Sequence, residues 1–290
     1  MKKIVNAQKK LEKIETAGIV LKPSSPDLKE FYLEAKSIFE RHGIKTIVEK
    51  KSANFIGLDG YNFETVCKNS DFLVSIGGDG TLISVCRRAF EFKKAVLGVN
   101  LGTLGFLTNI MPDELEDFLE KLKVGKYQID DRMMIEAKIS NQFLVAFNDI
   151  VITKKALPSM ITIDAKIDGK LFNRYFGDGL IISTPTGSSA YNLSCGGPIV
   201  YPLAETFIVT PISPHSLTQR PLVLPADFEI ELFTTDKNGA IIIVDGQDIF
   251  ELEKNQPIKI KIASDTAKLI NTKGRNYFEV LREKMNWGHK

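Results

Sequence analysis

Asp79 stands among glycines in the run Gly77-Gly78-Asp79-Gly80-Thr81, directly after an apolar stretch at residues 72–76 and just before a helical pattern. This reads as a buried strand, a tight turn and a helix start. Glycines without a Cβ permit positive φ and let a ligand approach the backbone closely. Free N–H groups at a turn and a helix N-terminus attract phosphate, which makes Gly77, Gly78, Gly80 and Thr81 phosphate-binding candidates. A carboxylate beside such a cradle suggests a base that takes a proton from an alcohol as a phosphoryl group arrives. The plain alternative is a turn with an N-capping aspartate. Two familiar phosphate motifs are missing. A dinucleotide fingerprint built on Gly78 and Gly80 would need glycine where Ile83 stands. Gly125-Lys126 precedes Tyr127 and Gly169-Lys170 precedes Leu171, so neither opens a Walker loop. Neither a dehydrogenase-type fold nor a Walker site is indicated.

Three further stretches carry candidate chemistry. Residues 177–198 run from Gly177-Asp178 through the apolar 180–182 into a tract dense in hydroxyls and glycines, ending Cys195-Gly196-Gly197-Pro198. Hydroxyls and N–H groups near a helix start suit phosphate, ribose and amide groups, and Asp178 can accept from an amide or hydroxyl. A solvated loop needs no such apolar flanks, so a binding segment is the better reading. Asn148-Asp149 interrupts the apolar run 143–152, where a buried carboxylate is costly unless satisfied. It reads either as a bulge facing a ligand or as the wet side of an edge strand. Residues 100–107, with Gly102 and Gly105, suggest a second close backbone approach. Phe106 there either stacks on a flat base or belongs to the core, the commoner fate of a single aromatic.

The elements that must position these residues follow from periodicity. Strands at 18–21, 44–48, 72–77 and 95–99 alternate with helical patterns at 27–43, 61–69 and 81–90, with Asp27 as an N-cap, Gly43 as a stop and residues 52–60 as loop. That rhythm indicates a Rossmann-like parallel sheet in an α/β domain, with ligands beyond the C-terminal strand ends. A helix opened by Pro112 ends at Gly125. From there to about residue 263 the pattern is short strands with turn signals, among them a hairpin at Asp168-Gly169. The expected division is an α/β domain over 1–127, an all-β, sandwich-like domain over 128–265, and a tail over 266–290 that returns to the first. A net charge of +2 gives no reason for nucleic acid or an anionic membrane as partner, and no apolar stretch reaches spanning length. The N-terminus shows no signal-peptide core. Cys67, Cys86 and Cys195 make neither a disulfide framework nor a zinc site and suit a reduced, cytoplasmic protein; His42, His215 and His289 are too scattered for a metal cluster.

Taken together, the glycine motif, Asn148-Asp149, the segment 177–198, Pro214-His215-Ser216-Leu217, Asp245-Gly246-Gln247 and Tyr277-Phe278-Glu279-Val280-Leu281 resemble the NAD kinase family in order and approximate spacing. The likeness covers nearly the whole chain from Gly18 onward. The glycine motif alone is shared with diacylglycerol and sphingosine kinases, so the 178–198 stretch carries the specificity. The resemblance implies transfer of the γ-phosphoryl group of ATP, or of polyphosphate, to the 2′-hydroxyl of the adenosine ribose of NAD, giving NADP. It implies Asp79 as general base, with Gly80 and its neighbours on phosphates. Asn148 and Asp149 would hold the adenosine half. Asp178, Ser189, Ala190, Tyr191, Asn192, Ser194 and Gln247 would line the rest of the dinucleotide site. A magnesium ion or another divalent cation would arrive on the donor's phosphates, with no dedicated protein cage, and the protein would be a homodimer or homotetramer. The family often has Asn-Glu where Asn148-Asp149 stands and Thr-Ala-Tyr-Ser at residues 189–192. It often has a basic residue soon after the glycine motif, which leaves Arg87, Arg88, Arg174 or a metal as the phosphate partner. The rival readings are a lipid kinase and a dinucleotide-binding regulator without chemistry.

Overall fold

The computed structural model describes residues 10–25, 27–102, 105–108, 110–155, 159–274 and 276–288. Most of the basic lead-in, Thr103 and Leu104 of the second glycine segment, and His289 lie outside the described residues. The chain divides into two compact units, one of residues 1–131 with 267–290, the other of residues 132–266.

In the first unit β1 (Thr16–Leu21), α1 (Leu28–Arg41), β2 (Lys45–Val48), α2 (Lys50–Phe55), α3 (Phe63–Asn69), β3 (Phe72–Gly77), α4 (Asp79–Ala89) and β4 (Ala95–Asn100) follow one another, and α5 (Leu115–Lys123) comes after a single 3₁₀ turn at Pro112–Glu114. The strands pair in parallel in the order β2-β1-β3-β4, and residues 268–270 of the chain's last strand continue the parallel set beside β4. β3 and β4 are buried at every position, which is why each reads as a mainly apolar run, interrupted in β3 by Ser75 and closed in β4 by Asn100. On α1, Leu28, Tyr32, Ala35, Ile38 and Phe39 form the buried stripe, and Gly43 ends the turn at φ +70°. Strand order reverses between β1 and β3, so the doubly wound rule puts the ligand-binding crevice at the C-terminal end of β3. Gly77-Gly78-Asp79 stands there.

The second unit takes up β5 (Tyr127–Ile139) from Arg132, then β6 (Gln142–Ala146), β7 (Asp149–Lys154), β8 (Ile161–Ile167), β9 (Lys170–Gly177), β10 (Gly179–Ser183) and the one-turn α6 (Tyr191–Ser194). β11 (Thr206–Ile212), β12 (Leu222–Pro225), β13 (Ile230–Thr234), β14 (Ala240–Val244), β15 (Asp248–Leu252) and β16 (Ile258–Thr272) complete it, before α7 (Tyr277–Met285) in the first unit. One sheet runs β12-β11-β10-β7-β14-β15, every neighbour antiparallel. The other carries β13, β8 and β9 beside residues 258–260, with the β5–β6 hairpin. Ile150, Ile152, Leu180 and Ile182 of one sheet share an apolar core with Ile163, Ile230, Leu232 and Ile260 of the other, the filling of a sandwich. The expected α/β and all-β folds are both present. Asp168 and Gly169 form the β8–β9 turn with φ of 50° and 75°, the left-handed pair that a two-residue hairpin needs.

Three local expectations are corrected. Residues 52–60 do not form a loop throughout, because α2 occupies Lys50–Phe55. Ala53 and Ile56 dock in the core, and the Ser52 hydroxyl accepts the Leu21 N–H at 2.9 Å while donating to Glu49. Two apolar anchors are too few to show a period, and tertiary contacts make the helix. Asp27 precedes α1 in helical backbone geometry and makes no side-chain capping bond. The run 143–152 is not one strand. It splits into β6 and β7 in different sheets, with Phe147 and Asn148 at the corner. β7 lies between β10 and β14, so Asp149 sits neither at an edge nor at a bulge.

Candidate functional site

In the first unit the turn after β3 presents Asp79 as the first residue of α4. The N–H groups of Thr81 and Leu82 both donate to the Gly78 carbonyl and close the first helical turn. Gly77, Gly78 and Gly80 all avoid positive φ, which corrects the conformational reason given for them. Gly77 is glycine because a Cβ would stand 2.5 Å from the Thr81 hydroxyl oxygen. Gly78 and Gly80 would point a Cβ into open space, so close approach from outside is the property they retain.

The Asp79 carboxylate is gripped by the segment that follows β4. Oδ2 accepts the Phe106 N–H at 2.8 Å; Oδ1 accepts the Thr108 N–H at 2.9 Å and the Thr108 hydroxyl at 2.8 Å. The Leu107 N–H is shared between the two oxygens at 3.3 and 3.4 Å. Oδ1 thus spends its lone pairs on Thr108, whereas Oδ2 carries one short bond and half of a long one. Gly105 makes this possible, because a Cβ there would fall 2.1 Å from Asp79 Oδ1. Phe106 is half-buried beside this turn, and its backbone, not its ring, makes the contact with Asp79. Asp79, the glycine turn and Phe106 are therefore brought together.

The second unit gathers another set. At the β6–β7 corner the N–H groups of Phe147, Asn148 and Asp149 all donate to the carboxylate of Asp245, at 2.9, 2.7 and 3.1 Å. The Asn148 carbonyl accepts the Thr184 N–H at 2.8 Å. Gly187 packs so closely on that carbonyl that a Cβ would lie 2.2 Å from its oxygen. The peptide is fixed on both sides, and the buried Asn148 Oδ1 has no hydrogen-bond partner among the described residues. A cavity of about 320 Å³ opens here, lined by Asn148, Asp149, Ala190, Tyr191, Ile243 and Asp245. Burial, and next the charge of Asp245, push the Asp149 carboxyl up to about 7. An orphaned carbonyl oxygen beside a carboxyl, between aliphatic walls, suits a flat group that donates hydrogen bonds along one edge.

The remaining sequence candidates are placed differently. Asp178 pairs with the Lys154 ammonium. Asn192 is fully buried, its amide bonded to the Ser188 and Pro198 carbonyls and its oxygen to the Thr210 hydroxyl. That side chain holds the 188–198 loop in shape. Ser189 is half-buried, while Ser194 and Gln247 are exposed. Of the basic residues, Arg174 makes a two-pronged pair with the buried Asp164, and Arg88 pairs with Glu49 and lies 3.8 Å over the Phe63 ring. Neither guanidinium is held out for a ligand. Among the described residues no three His, Cys, Asp or Glu converge as metal ligands, and no helix is long and apolar enough to cross a membrane. Sequence reasoning missed Thr108 and gave Asp245 no role beyond its place in the Asp245-Gly246-Gln247 motif. Thr108 leaves no local signal; Asp245-Gly246 is visible as a turn pair, but not the place its carboxylate reaches.

Comparison with known proteins bears on both units. The family model for the ATP-NAD kinase N-terminal domain matches residues 17–127, and that for the ATP-NAD kinase C-terminal domain matches residues 147–272. The NAD kinase of Wolinella succinogenes is 50% identical over 282 residues, covering 96% of this chain and 97% of its own. That of Sulfurimonas denitrificans is 47% identical, covering 95% and 98%. Among solved structures, yeast NADH kinase complexed with NADH superposes with a TM-score of 0.88 at 25% identity, covering 96% of this chain and 89% of that one. An NAD kinase from Archaeoglobus fulgidus in complex with ATP gives 0.76 at 26%, covering 93% and 98%.

Proposed function

The chain belongs to the NAD kinase family, and from that premise we propose that Asp79 Oδ2 takes the proton of the adenosine 2′-hydroxyl of NAD as the γ-phosphoryl group of ATP arrives. The enzyme is a phosphotransferase that makes NADP. The observation that carries the residue assignment is the grip on Asp79: four donors fix the carboxylate, yet one oxygen keeps a lone pair. A loose phosphoryl-transfer transition state asks of its base orientation and late proton removal, and a carboxylate so held supplies both. Gly78 and Gly80 leave room for phosphate oxygens against the backbone. Asn148 Oδ1 and Asp149 take the hydrogen-bonding edge of the adenosine half, and Ala190 and Tyr191 flank it. Asp178, Ser189, Ser194 and Gln247 complete the dinucleotide contacts, with Asn192 supporting them from behind.

A divalent ion fits as cargo of the nucleotide. Asp79 is the one carboxylate of the glycine turn, and its donors leave it a single lone pair, whereas magnesium readily stays with donor phosphates and water. Bound there, it neutralises charge on the transferring group. The thiols of Cys67, Cys86 and Cys195 suit a cytoplasmic setting. Exposed Leu217, together with Leu222 and Val223 on the edge strand β12, supports a homodimer or homotetramer. A lipid kinase or a silent regulator gains no support, because the family match extends far beyond the glycine motif through residue 272.

Purified protein given NAD, ATP and Mg²⁺ is expected to form NADP, read by coupling to an NADP-specific dehydrogenase; saturable NAD binding without NADP would overturn the proposal. Polyphosphate in place of ATP tests the donor. Gly105→Ala tests the grip on the base. A Cβ 2.1 Å from Asp79 Oδ1 forces the carboxylate or its loop to move, and displacement of about 1 Å lowers kcat by roughly 10²-fold. Near-wild-type turnover in that variant would show that the carboxylate needs no such placement.

A further inference from the structure

We propose that Asp245 is a positioning residue for the NAD-binding corner, its carboxylate aiming Asn148 and Asp149 through the backbone; this rests on the reading that the corner holds NAD. Asn148 and Asp149 lie where the chain leaves one sheet for the other, so the strand ladder does not take up the N–H groups of Phe147 and Asn148. Asp245 takes both, and that of Asp149, with its two oxygens. It returns the contact by donating its own N–H to the Asp149 carbonyl at 3.0 Å. The turn that carries it is left-handed at Asp245 and Gly246, with φ of 51° and 65°. Aspartate tolerates that geometry better than most residues, and here the turn points the carboxylate back at the neighbouring strand. A charged acceptor shared by three partly desolvated donors is among the stronger hydrogen-bonding arrangements. Among the described residues no other side-chain oxygen takes these three N–H groups, and Asn148 and Asp149 are 8% and 4% exposed. The anchor comes from nearly a hundred residues away, and no described residue bonds the Asn148 side-chain oxygen to orient it. Its aim therefore depends on the backbone that Asp245 holds.

Asp245→Asn keeps one acceptor oxygen but sets an amide N–H against a backbone N–H, so the clamp opens without emptying the turn. It is expected to raise KM for NAD about tenfold, leaving KM for ATP and kcat within about threefold. In Asp245→Ala, hydrogen exchange at the amides of residues 147–149 is expected to quicken at least tenfold, with the β10 amides unchanged. A pH profile separates positioning from loss of structure. The titratable and charged groups facing Asp149 are Asp245 from the β14–β15 turn, Tyr191 from α6 and Cys195 just after that helix. Removing the Asp245 charge should move the inflection that Asp149→Asn abolishes toward lower pH, because one repelling charge is gone. Asn148→Ala is the control for the underlying reading. If it raises KM for NAD and Asp245→Asn does not, the clamp is wrong and the NAD site stands. If Asn148→Ala leaves KM for NAD unchanged, the corner is not the NAD site and the proposal falls with that reading. Equal losses in kcat and both KM values, with a lowered Tm, would also overturn it.

Discussion

Replacing Asp79 by asparagine is expected to lower kcat for NADP formation by about 10³-fold, the size of effect usual for a lost general base. Saturable NAD binding, measured by calorimetry, should survive. The geometry shows why this experiment needs a partner. Asparagine of the same shape keeps an oxygen for Thr108 but turns an amide N–H toward the Phe106 N–H, where Oδ2 now accepts at 2.8 Å. The variant thus loses the base and disturbs the loop that holds it. Thr108→Val isolates the second effect. It removes one hydroxyl donor from Oδ1 and leaves Oδ2 untouched, so it should lower stability by about 1 kcal/mol and kcat only a few-fold. If Asp79→Asn turns over within tenfold of the native protein, proton removal by Asp79 is wrong. If Thr108→Val falls as far as Asp79→Asn, the carboxylate matters for the shape of the loop and not for the proton.

That dependence on a loop some thirty positions downstream marks where the sequence stopped being readable. The parallel layer was legible because β3 and β4 are buried on both faces and show mainly apolar runs, each followed by turn residues. The Asp168-Gly169 hairpin was legible because two consecutive left-handed residues need those types. Asp79 itself was legible as a carboxylate among glycines. Its partners were not, since the donors are mostly backbone N–H groups, and a backbone N–H has no residue type. The same holds at Asp245, whose carboxylate meets amides 96 to 98 positions earlier in the chain. Gly77 misled in a different way. Its type suggested torsional freedom, and the cause is crowding from Thr81, which a sequence pattern cannot separate from it. The split of residues 143–152 was hidden because a corner that changes sheets can stay apolar on both sides of the change.

The buried carboxyl of Asp149 leads to the second large effect, on stability. Its folded value of about 7 stands against an ordinary 3.8, raised by burial first and by Asp245 next. Well below pH 3.8 the carboxyl is protonated in both folded and unfolded chains and contributes nothing to pH dependence. As pH rises toward 7 the unfolded chain releases this proton first, so the folded state binds more protons and loses stability with each unit. Above pH 7 the full cost, roughly 4 kcal/mol, is in place. Asp149→Asn removes the ionisation, so it should stabilise the protein at pH 8 by an amount of that order and by little at pH 4. Urea midpoints of the two proteins across that range check it, because titrating groups away from Asp149 are common to both and cancel in the difference, leaving Asp149 and the neighbours coupled to it. Parallel curves would show that Asp149 ionises as easily in the folded protein as in water. Retaining an acid at such a cost is understandable if ligand repays it. A hydroxyl donated by bound NAD would favour the carboxylate, so at pH 8 saturating NAD should stabilise the native protein more than it stabilises the Asp149→Asn variant. Activity and stability then pull residue 149 in opposite directions, and the variant that melts later should be the one that binds NAD less tightly.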